Sequence, residues 1–192
     1  MVDANQPVTA EICLVADNAG RELLSDLVLI DHLLSGGHAD TATLHIKPHP
    51  YYISDATTAD LIACLCRLAC APARLAKVGK RLWQAIQTGQ LVVQTHAFFC
   101  APLSYHYMPA DLAARFSSAS LTVMKGDLNY RRFVGDCQWP ATTPFGSLAR
   151  YFPRPVAALR TLNPTSSSAS TCRCGRRWTP LASNGERTAP AP

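Results

Sequence analysis

The sequence has few charged residues and no long apolar run. Asp, Glu, Lys and Arg make up 16% of the 192 residues and apolar types make up 48%, a balance that excludes a wholly disordered chain. A membrane-spanning helix needs roughly 18 apolar residues in succession, and the best candidate, residues 61–71, is interrupted by Arg67. A chain of this length can bury a core without disulfide staples. We therefore expect one folded domain that has no membrane partner.

Two familiar patterns are also absent from the first part of the chain. The opening residues contain no basic stretch followed by an apolar one, so we expect no secretory leader and a cytoplasmic location. The eight cysteines are then expected to be thiols, because disulfides are rare in that compartment. The first predicted strand is not followed by Gly-x-Gly-x-x-Gly, which argues against dinucleotide binding.

The excess of positive charge is concentrated near the C-terminus. Of the net charge of +5, residues 163–192 contribute +3 through four arginines and one glutamate, which leaves +2 for residues 1–162. A nearly neutral core gives no case for a nucleic-acid partner. Residues 163–192 are rich in Ser, Thr and Pro and have no hydrophobic period, so we interpret them as a low-complexity, disordered tail behind a folded domain.

Strand and helix patterns alternate along the folded part. Short apolar strands are predicted at residues 11–16, 41–47, 91–95, 121–124 and 156–161. Helical periods are predicted at residues 20–34, 57–70, 73–87, 109–116 and 129–134. This alternation predicts an α/β fold of three layers, with a mainly parallel Rossmann-like sheet and flanking helices.

Polar clusters follow three of the predicted strands. Asp17, Asn18 and Glu22 come after the first strand, Asp55 after the second, and residues 125–131 after the fourth. Ligands of open α/β sheets bind beyond the carboxyl ends of the strands, so we expect these clusters to lie on one edge. The first two clusters supply hard oxygen donors suited to Mg²⁺ or Mn²⁺, and the third supplies a glycine beside basic residues, which suits an anion. A divalent cation facing an anion is the arrangement that phosphoryl transfer uses.

Each cluster also has a plainer structural interpretation. Asp17 and Asp55 lie where helix caps are expected, and Gly126-Asp127 is typical of a turn. Three cysteines on one predicted helix are interpreted as small buried residues rather than metal ligands: Cys64, Cys66 and Cys70.

Taken together, the clusters resemble the motifs of one enzyme family. Asp-Asn-Ala-Gly-x-Glu at 17–22, Lys-x-x-Pro-x-x-x-Ser-Asp at 47–55 and Lys-Gly-Asp-Leu-Asn-Tyr-Arg at 125–131 occur in this order. The sequence is similar to the damage-control phosphatases, formerly the domain of unknown function 89. The similar branch is that of the sugar-phosphate phosphatases, also described as acidic-residue methyltransferase-like. The resemblance covers residues 11–162.

The resemblance implies a metal-dependent phosphatase acting on small phosphorylated metabolites such as fructose 1-phosphate or fructose 6-phosphate. By motif, Asp17, Asn18 and Asp55 resemble the catalytic metal ligands, and the cation would be Mn²⁺, Mg²⁺, Co²⁺ or Ni²⁺. Whether Asp17 attacks phosphorus or orients a water molecule stays open. The implied substrate-binding residues are Glu22, Lys125, Gly126, Asp127, Leu128, Asn129, Tyr130, Arg131 and Arg160.

The sequence departs from the family pattern towards both ends. The family has an Arg-Thr-x-Lys motif whose lysine contacts phosphate, a contact worth about 1.5–3 kcal/mol, but here Asn163 replaces the lysine. Only 16 residues precede Asp17, where the family has a helical region, and we expect the core to need that region to cover apolar surface. Two alternatives therefore stay open: an S-adenosylmethionine-dependent protein carboxyl methyltransferase, and an inactive truncated family member.

The residues after Leu162 have the composition expected of a shifted reading frame. After the lysine of that motif, the family that this sequence resembles commonly continues with Asp-Val-Val-Val-Gly-Leu, a strand and turn. Deleting one base from a string that encodes Leu-Lys-Pro-Asp-Val-Val-Val-Gly-Leu can yield Leu-Asn-Pro-Thr-Ser-Ser-Ser-Ala-Ser, which is the sequence of residues 162–170. Our hypothesis is that residues 163–192 arise from a one-base frameshift in the gene or in its sequencing. We expect resequenced coding DNA, with one base restored near codon 163, to encode a Val-rich strand. A restored frame without this continuation contradicts the hypothesis.

Overall fold

The computed structural model describes residues 10–137, 139–140 and 142–160. The predicted tail and the altered motif at residues 161–163 lie outside the described residues. The five strands form one sheet in which all neighbours are parallel, in the order β3-β2-β1-β4-β5. They are β1 Glu11–Val15, β2 Thr41–Ile46, β3 Leu91–Thr95, β4 Leu121–Lys125 and β5 Val156–Leu159. The predicted parallel α/β sheet is thereby confirmed.

Helices connect the strands and cover both faces of the sheet. They are α1 Arg21–Ser35, α2 Thr58–Ala69, α3 Ala73–Thr88, α4 Ala110–Ser118, α5 Asp127–Phe133 and α6 Phe145–Leu148. Two short 3₁₀ turns that the sequence did not predict lie at Ala97–Cys100 and Tyr105–Tyr107. None of the described helices is both long enough and apolar enough to cross a bilayer.

Alternation along the central strand β1 divides the core into two clusters. Ile12, Leu14 and Ala16 pack with the apolar stripes of α1, α2 and α3 on one face. Cys13 and Val15 point to the other face, where they join an aromatic cluster from the 3₁₀ turns, α4 and α5. Successive strand residues face opposite sides, so a strand buried on both sides produces three layers.

Strands are added to the sheet on both sides of β1. From β1 it runs outward through β2 to β3, and it then returns to place β4 on the opposite side of β1. The reversal leaves a crevice beyond the carboxyl ends of β1 and β4, which is where ligands of such sheets bind. The polar clusters predicted from the sequence follow β1, β2 and β4, so all three border this crevice.

The helix boundaries differ from prediction in one place that matters for the crevice. Helix α5 begins at Asp127, two residues earlier than predicted. Gly126 has a φ of +84°, which only glycine adopts readily, and it turns the chain from β4 directly into the helix. The first helical hydrogen bond runs from the Tyr130 N–H to the Gly126 carbonyl at 3.2 Å.

The expectation that the three cysteines of α2 are buried is wrong for two of them. Cys66 and Cys70 are exposed, and Cys64 is partly buried. The buried stripe of the helix is formed instead by three leucines, Leu61, Leu65 and Leu68. The exposed cysteines are offset by one or two residues from these leucines, which at 100° per residue turns them towards solvent.

One buried histidine, His45 on β2, lacks hydrogen-bond partners. Its side chain packs against Phe99 and Phe116, and neither ring nitrogen has a partner in the described structure. Burial, with Arg115 and His96 adding to it, lowers the pKa of His45 to about 4. In the folded state His45 is therefore neutral at pH values well above 4.

Because the unfolded chain binds this proton near pH 6.5, His45 removes stability as the pH falls from 6.5 towards 4. Between pH 7 and pH 5 we expect a loss of about 2 kcal/mol from this group alone. The variant His45→Leu also removes two unsatisfied polar atoms, so it should be at least as stable as the native chain at pH 7. Urea unfolding of both proteins at pH 7 and pH 5 measures the difference. Equal pH dependence in the two proteins would contradict this assignment.

Candidate functional site

The loop after β1 is joined through its main chain to the segment before α2. The Asp17 carbonyl accepts a hydrogen bond from the Ala56 N–H at 2.9 Å, and the Ala19 N–H donates to the Ser54 carbonyl at 2.7 Å. Asn18 and Asp55 form an antiparallel bridge between these contacts. The backbone thus brings Asp55 beside Asp17 and Asn18, as the sequence predicted for the edge of the sheet.

The Asp55 carboxylate is held from two sides. One oxygen, Oδ2, accepts the backbone N–H groups of Tyr51 at 2.8 Å and Tyr52 at 2.6 Å. The other, Oδ1, accepts from the Lys47 ammonium at 2.5 Å. Asp55 is 3% exposed, so these partners stabilise a charge that burial would otherwise disfavour. Asp55 is therefore part of a packed network. The N-cap of α2, the plainer role expected for Asp55, is Thr57, whose N–H donates to the Asp60 carboxylate in a capping box.

Asn18 is oriented by three hydrogen bonds. Its Nδ2 donates to Glu22 Oε2 at 2.9 Å and to Asp17 Oδ2 at 3.3 Å. Its Oδ1 accepts from the Ser54 hydroxyl at 2.7 Å. Glu22 lies in the first turn of α1, four residues beyond Asn18, so the spacing noted in the sequence places it in direct contact with the amide.

Lys47 is a component of the site to which the sequence reasoning assigned no role. It follows β2 immediately, and its Nζ lies 2.5 Å from Asp55 Oδ1 and 3.6 Å from Asp17 Oδ1. The side chain is 2% exposed. Its place in the Lys-x-x-Pro-x-x-x-Ser-Asp motif was the available signal. A residue directly after a parallel strand lies at the edge of the sheet where ligands bind.

The surroundings of the Asp17 carboxyl group change its pKa. Burial raises the pKa of Asp17 to about 6, the Lys47 ammonium opposes the shift, and the neighbouring Glu22 and Asp55 carboxylates add to it. The sign means that the metal-free site favours a proton on Asp17 at mildly acidic pH. A cation bound at this point would favour the ionised carboxylate instead.

The turn after β4 lies directly against Asp17. A Cβ added to Gly126 would lie 1.8 Å from Asp17 Oδ2 and 2.3 Å from its Cγ. The Gly126 N–H is used by the sheet, since it donates to the Leu159 carbonyl at 2.9 Å. The N–H groups of the first turn of α5 come next along the chain, where a helix has no internal acceptors for them.

The basic side chains of the predicted substrate set contact acidic partners outside the candidate metal ligands. Lys125 donates to Asp26 on α1 at 2.6 Å. The other two contacts, both 2.7 Å, are Arg131 with Asp136 and Arg160 with Asp127. The structure thus brings Asp17, Asn18, Glu22, Asp55 and Gly126 together, and it uses the three predicted cations in separate ion pairs.

The remaining members of the predicted substrate set lie on α5. Asn129 is buried, and its amide donates to the Ala16 and Lys125 carbonyls at 3.3 and 2.9 Å, which ties the ends of β1 and β4 together. Tyr130 is partly buried, and the Arg160 guanidinium lies 4.0 Å from the centre of its ring. Leu128 is partly buried on the same helix.

The donor chemistry suits a hard divalent cation. Asp17 and Asn18 are adjacent, Asp55 pairs with Asn18, and all three present oxygen atoms. Over the ranges that the structure describes, no three His, Cys, Asp or Glu side chains gather into a metal-binding group, so the candidate set depends on the Asn18 amide. Oxygen donors of this kind fit Mg²⁺ or Mn²⁺ and do not fit a zinc site built from thiolates and imidazoles.

Comparison with known proteins decides the family. The sequence profile of the Damage-control phosphatase ARMT1-like domain matches residues 3–167. The chain belongs to the damage-control phosphatase family. Damage-control phosphatase ARMT1 of Rattus norvegicus is 35% identical over 170 residues, covering 82% of this chain and 37% of the relative. For the Homo sapiens protein of that name the figures are 35% over 156 residues, 79% and 35%.

Relatives in this family are much longer than the chain described here. Damage-control phosphatase ARMT1 of Xenopus tropicalis is 32% identical over 166 residues, covering 84% of this chain but 38% of the relative. The chain therefore spans less than two fifths of the curated family members it matches. A DUF89 family protein from Pyrococcus horikoshii matches with a TM-score of 0.46 and 19% identity, covering 80% of this chain and 47% of that structure.

The contact between Gly126 and Asp17 predicts that Gly126→Ala is severely destabilising. The matched control is Gly89→Ala, because Gly89 has a similar φ of +77° but no atom within 4 Å of an added Cβ. We expect the control to cost about 1–2 kcal/mol through its backbone. Gly126→Ala should cost roughly 3–5 kcal/mol, because a clash with a buried carboxylate adds to the strain. Urea unfolding gives both values. Equal losses in the free energy of unfolding would show that the contact between Gly126 and Asp17 does not affect stability.

Proposed function

We propose that this chain is the metal-binding core of a cytoplasmic, metal-dependent phosphatase that hydrolyses small phosphorylated metabolites. Fructose 1-phosphate and fructose 6-phosphate are the first substrates to test, with Mn²⁺, Mg²⁺, Co²⁺ or Ni²⁺ as the cation. The observation that carries the proposal is the convergence of Asp17, Asn18 and Asp55 beside the Gly126 turn. Membership of the damage-control phosphatase family supports it.

The cation would be held by Asp17, Asn18 and Asp55. Asp17 Oδ2 receives one hydrogen bond, from Asn18 at 3.3 Å, so it has lone pairs free for coordination. Glu22 and Ser54 hold the amide of Asn18, and the Tyr51 and Tyr52 N–H groups hold Asp55. When bound, a divalent cation polarises phosphoryl oxygens and neutralises the charge that develops as the P–O bond breaks.

The phosphate side of the site would be formed by the start of α5 and by basic side chains. Backbone N–H groups at the beginning of a helix favour anions. Arg131 is the basic residue best able to change partner, because its pair with Asp136 is about half exposed and such pairs are weak. Lys125 is less free, because its partner Asp26 is 1% exposed and would be left as an unpaired buried charge. We infer that Lys125 shapes the site while Arg131 contacts the substrate.

Phosphate release in the presence of each metal tests the proposal, with Asp17→Ala as the principal variant. We expect metal-dependent turnover in the native chain, and at least a ~100-fold loss in Asp17→Ala, because a ligand and its electrostatic stabilisation are removed. The matched control is Asp111→Asn, an exposed aspartate on α4 whose change should leave turnover unaltered.

Three outcomes would overturn this proposal. Full activity in a folded Asp17→Ala variant would exclude the assigned ligand. Methyl transfer to protein carboxylates without metal would favour the methyltransferase alternative. Absence of turnover in the folded native chain, with activity restored by Asn163→Lys together with a family-like continuation after it, would identify the chain as an inactive truncated member.

A further inference from the structure

Lys47 is the one described cation within ion-pair distance of the candidate metal ligands. Its ammonium lies 2.5 Å from Asp55 Oδ1 and 3.6 Å from Asp17 Oδ1. The three basic residues predicted for the substrate each pair with a different acid. Lysine is almost never fully buried unless it is paired, and Lys47 is 2% exposed. The positive charge inside the metal-free cluster therefore comes from Lys47.

Main-chain contacts fix the position of the Lys47 backbone beside the cluster. The Lys47 N–H donates to the Ala56 carbonyl at 3.0 Å, and the Ala56 N–H donates to the Asp17 carbonyl at 2.9 Å. Lys47 also forms a parallel bridge with Thr57. One residue, Ala56, thus links the strand end that carries Lys47 to the strand end that carries Asp17. Fixing the long lysine side chain in the cluster costs rotamer entropy, which its ion pairs with Asp55 and Asp17 offset.

The carboxylates of the cluster outnumber the one described ammonium that lies among them. Asp17, Glu22 and Asp55 contribute three carboxylates, and Asn18 contacts two of them through one amide nitrogen. Asp17 and Asp55 are buried and Glu22 is partly buried, so little water screens the repulsion between their carboxylates. Lys47 offsets part of this repulsion, and a divalent cation at the same oxygens would offset more.

We propose that Lys47 is a positioning residue that acts as the resident counter-ion of the metal site. Its ammonium holds Asp17 and Asp55 together before a divalent cation binds, and it competes with that cation for their oxygens. The inference rests on the proposed function, because it requires that these carboxylates bind metal. It assigns Lys47 two opposite effects: stabilising the metal-free protein and weakening metal affinity.

Lys47→Met separates these effects from ordinary packing, because methionine keeps the apolar stem and removes the charge. Lys77→Met, at an exposed position on α3, is the control for the change in net charge, and Lys47→Arg tests rescue by a conserved charge. Thermal unfolding in EDTA and Mn²⁺ binding by calorimetry, with MnCl₂ as the probe, are the two readouts.

We expect Lys47→Met to lower the unfolding midpoint in EDTA by about 5 °C or more and to tighten Mn²⁺ binding by about tenfold or more. Saturating Mn²⁺ should then raise the midpoint of Lys47→Met further than that of the native chain. Lys77→Met should change neither value, and Lys47→Arg should restore Mn²⁺ affinity towards the native value. A folded Lys47→Met variant whose Mn²⁺ affinity is unchanged or weaker overturns the proposal, since a purely structural lysine would give that result.

If Lys47→Met does not fold, side-chain NMR of the native protein replaces it. A resident ion pair predicts a protected ammonium signal for Lys47 in EDTA, identified by its absence in Lys47→Arg, and a shift of that signal when Mg²⁺ is added. A missing signal, or one that Mg²⁺ leaves in place, overturns the inference. Failure of the proposed function is distinguishable, because the native chain would then bind no Mn²⁺ and release no phosphate.

Discussion

The structure around the crevice depends on burying the Asp17 carboxylate where the ends of β1, β2 and β4 meet. A carboxylate is stable in such a place only with polar partners and without competing bulk. Lys47 supplies charge, Asn18 supplies a hydrogen bond, and Gly126 leaves out the Cβ that would overlap the carboxylate. Each of these residues comes from a different strand end or loop. The acid therefore acts as the common contact that sets how closely the three segments approach.

The aromatic cluster on the other face of the sheet holds α5, which follows the Gly126 turn, in place. Arg132 on α5 is buried and donates to the carbonyls of Phe98 and Leu103, at 2.8 Å each, while its guanidinium lies 4.5 Å from the Phe98 ring centre. Asn129, one turn earlier, accepts from the Tyr105 hydroxyl at 3.1 Å. Burial of Arg132 lowers its pKa, and the carbonyl dipoles compensate for the water that it loses. These contacts anchor α5, and with it the Gly126 turn, to the 3₁₀ turns.

The basic residues near the crevice form a graded set of ion pairs. Lys125 is bound to the buried Asp26, whereas Arg131 is bound to the exposed Asp136. Solvent screening makes the second pair easier to exchange than the first. The two cations therefore differ in how readily they leave their partners, although the sequence places both in one seven-residue motif.

The sequence by itself determined the layered α/β fold and the order of its elements. Apolar strands of four to six residues alternate with amphipathic helices, and a parallel connection between such strands requires a helix across the face of the sheet. The same logic placed Asp17, Asn18, Asp55 and Gly126 at strand ends on one edge. These features depend on local pattern and on connection rules, so they can be read from one chain.

Only the tertiary structure decided which of those groups touch. That Lys47 lies between Asp17 and Asp55, while Lys125 turns to Asp26, depends on side-chain paths across neighbouring strands and helices. The sequence also did not show that Cys66 and Cys70 lie off the buried stripe of α2, or that His45 is buried without partners. Which face of a helix or strand is buried, and what surrounds it there, depends on packing between segments distant in the chain. Local spacing gives only the relative directions of side chains on one element.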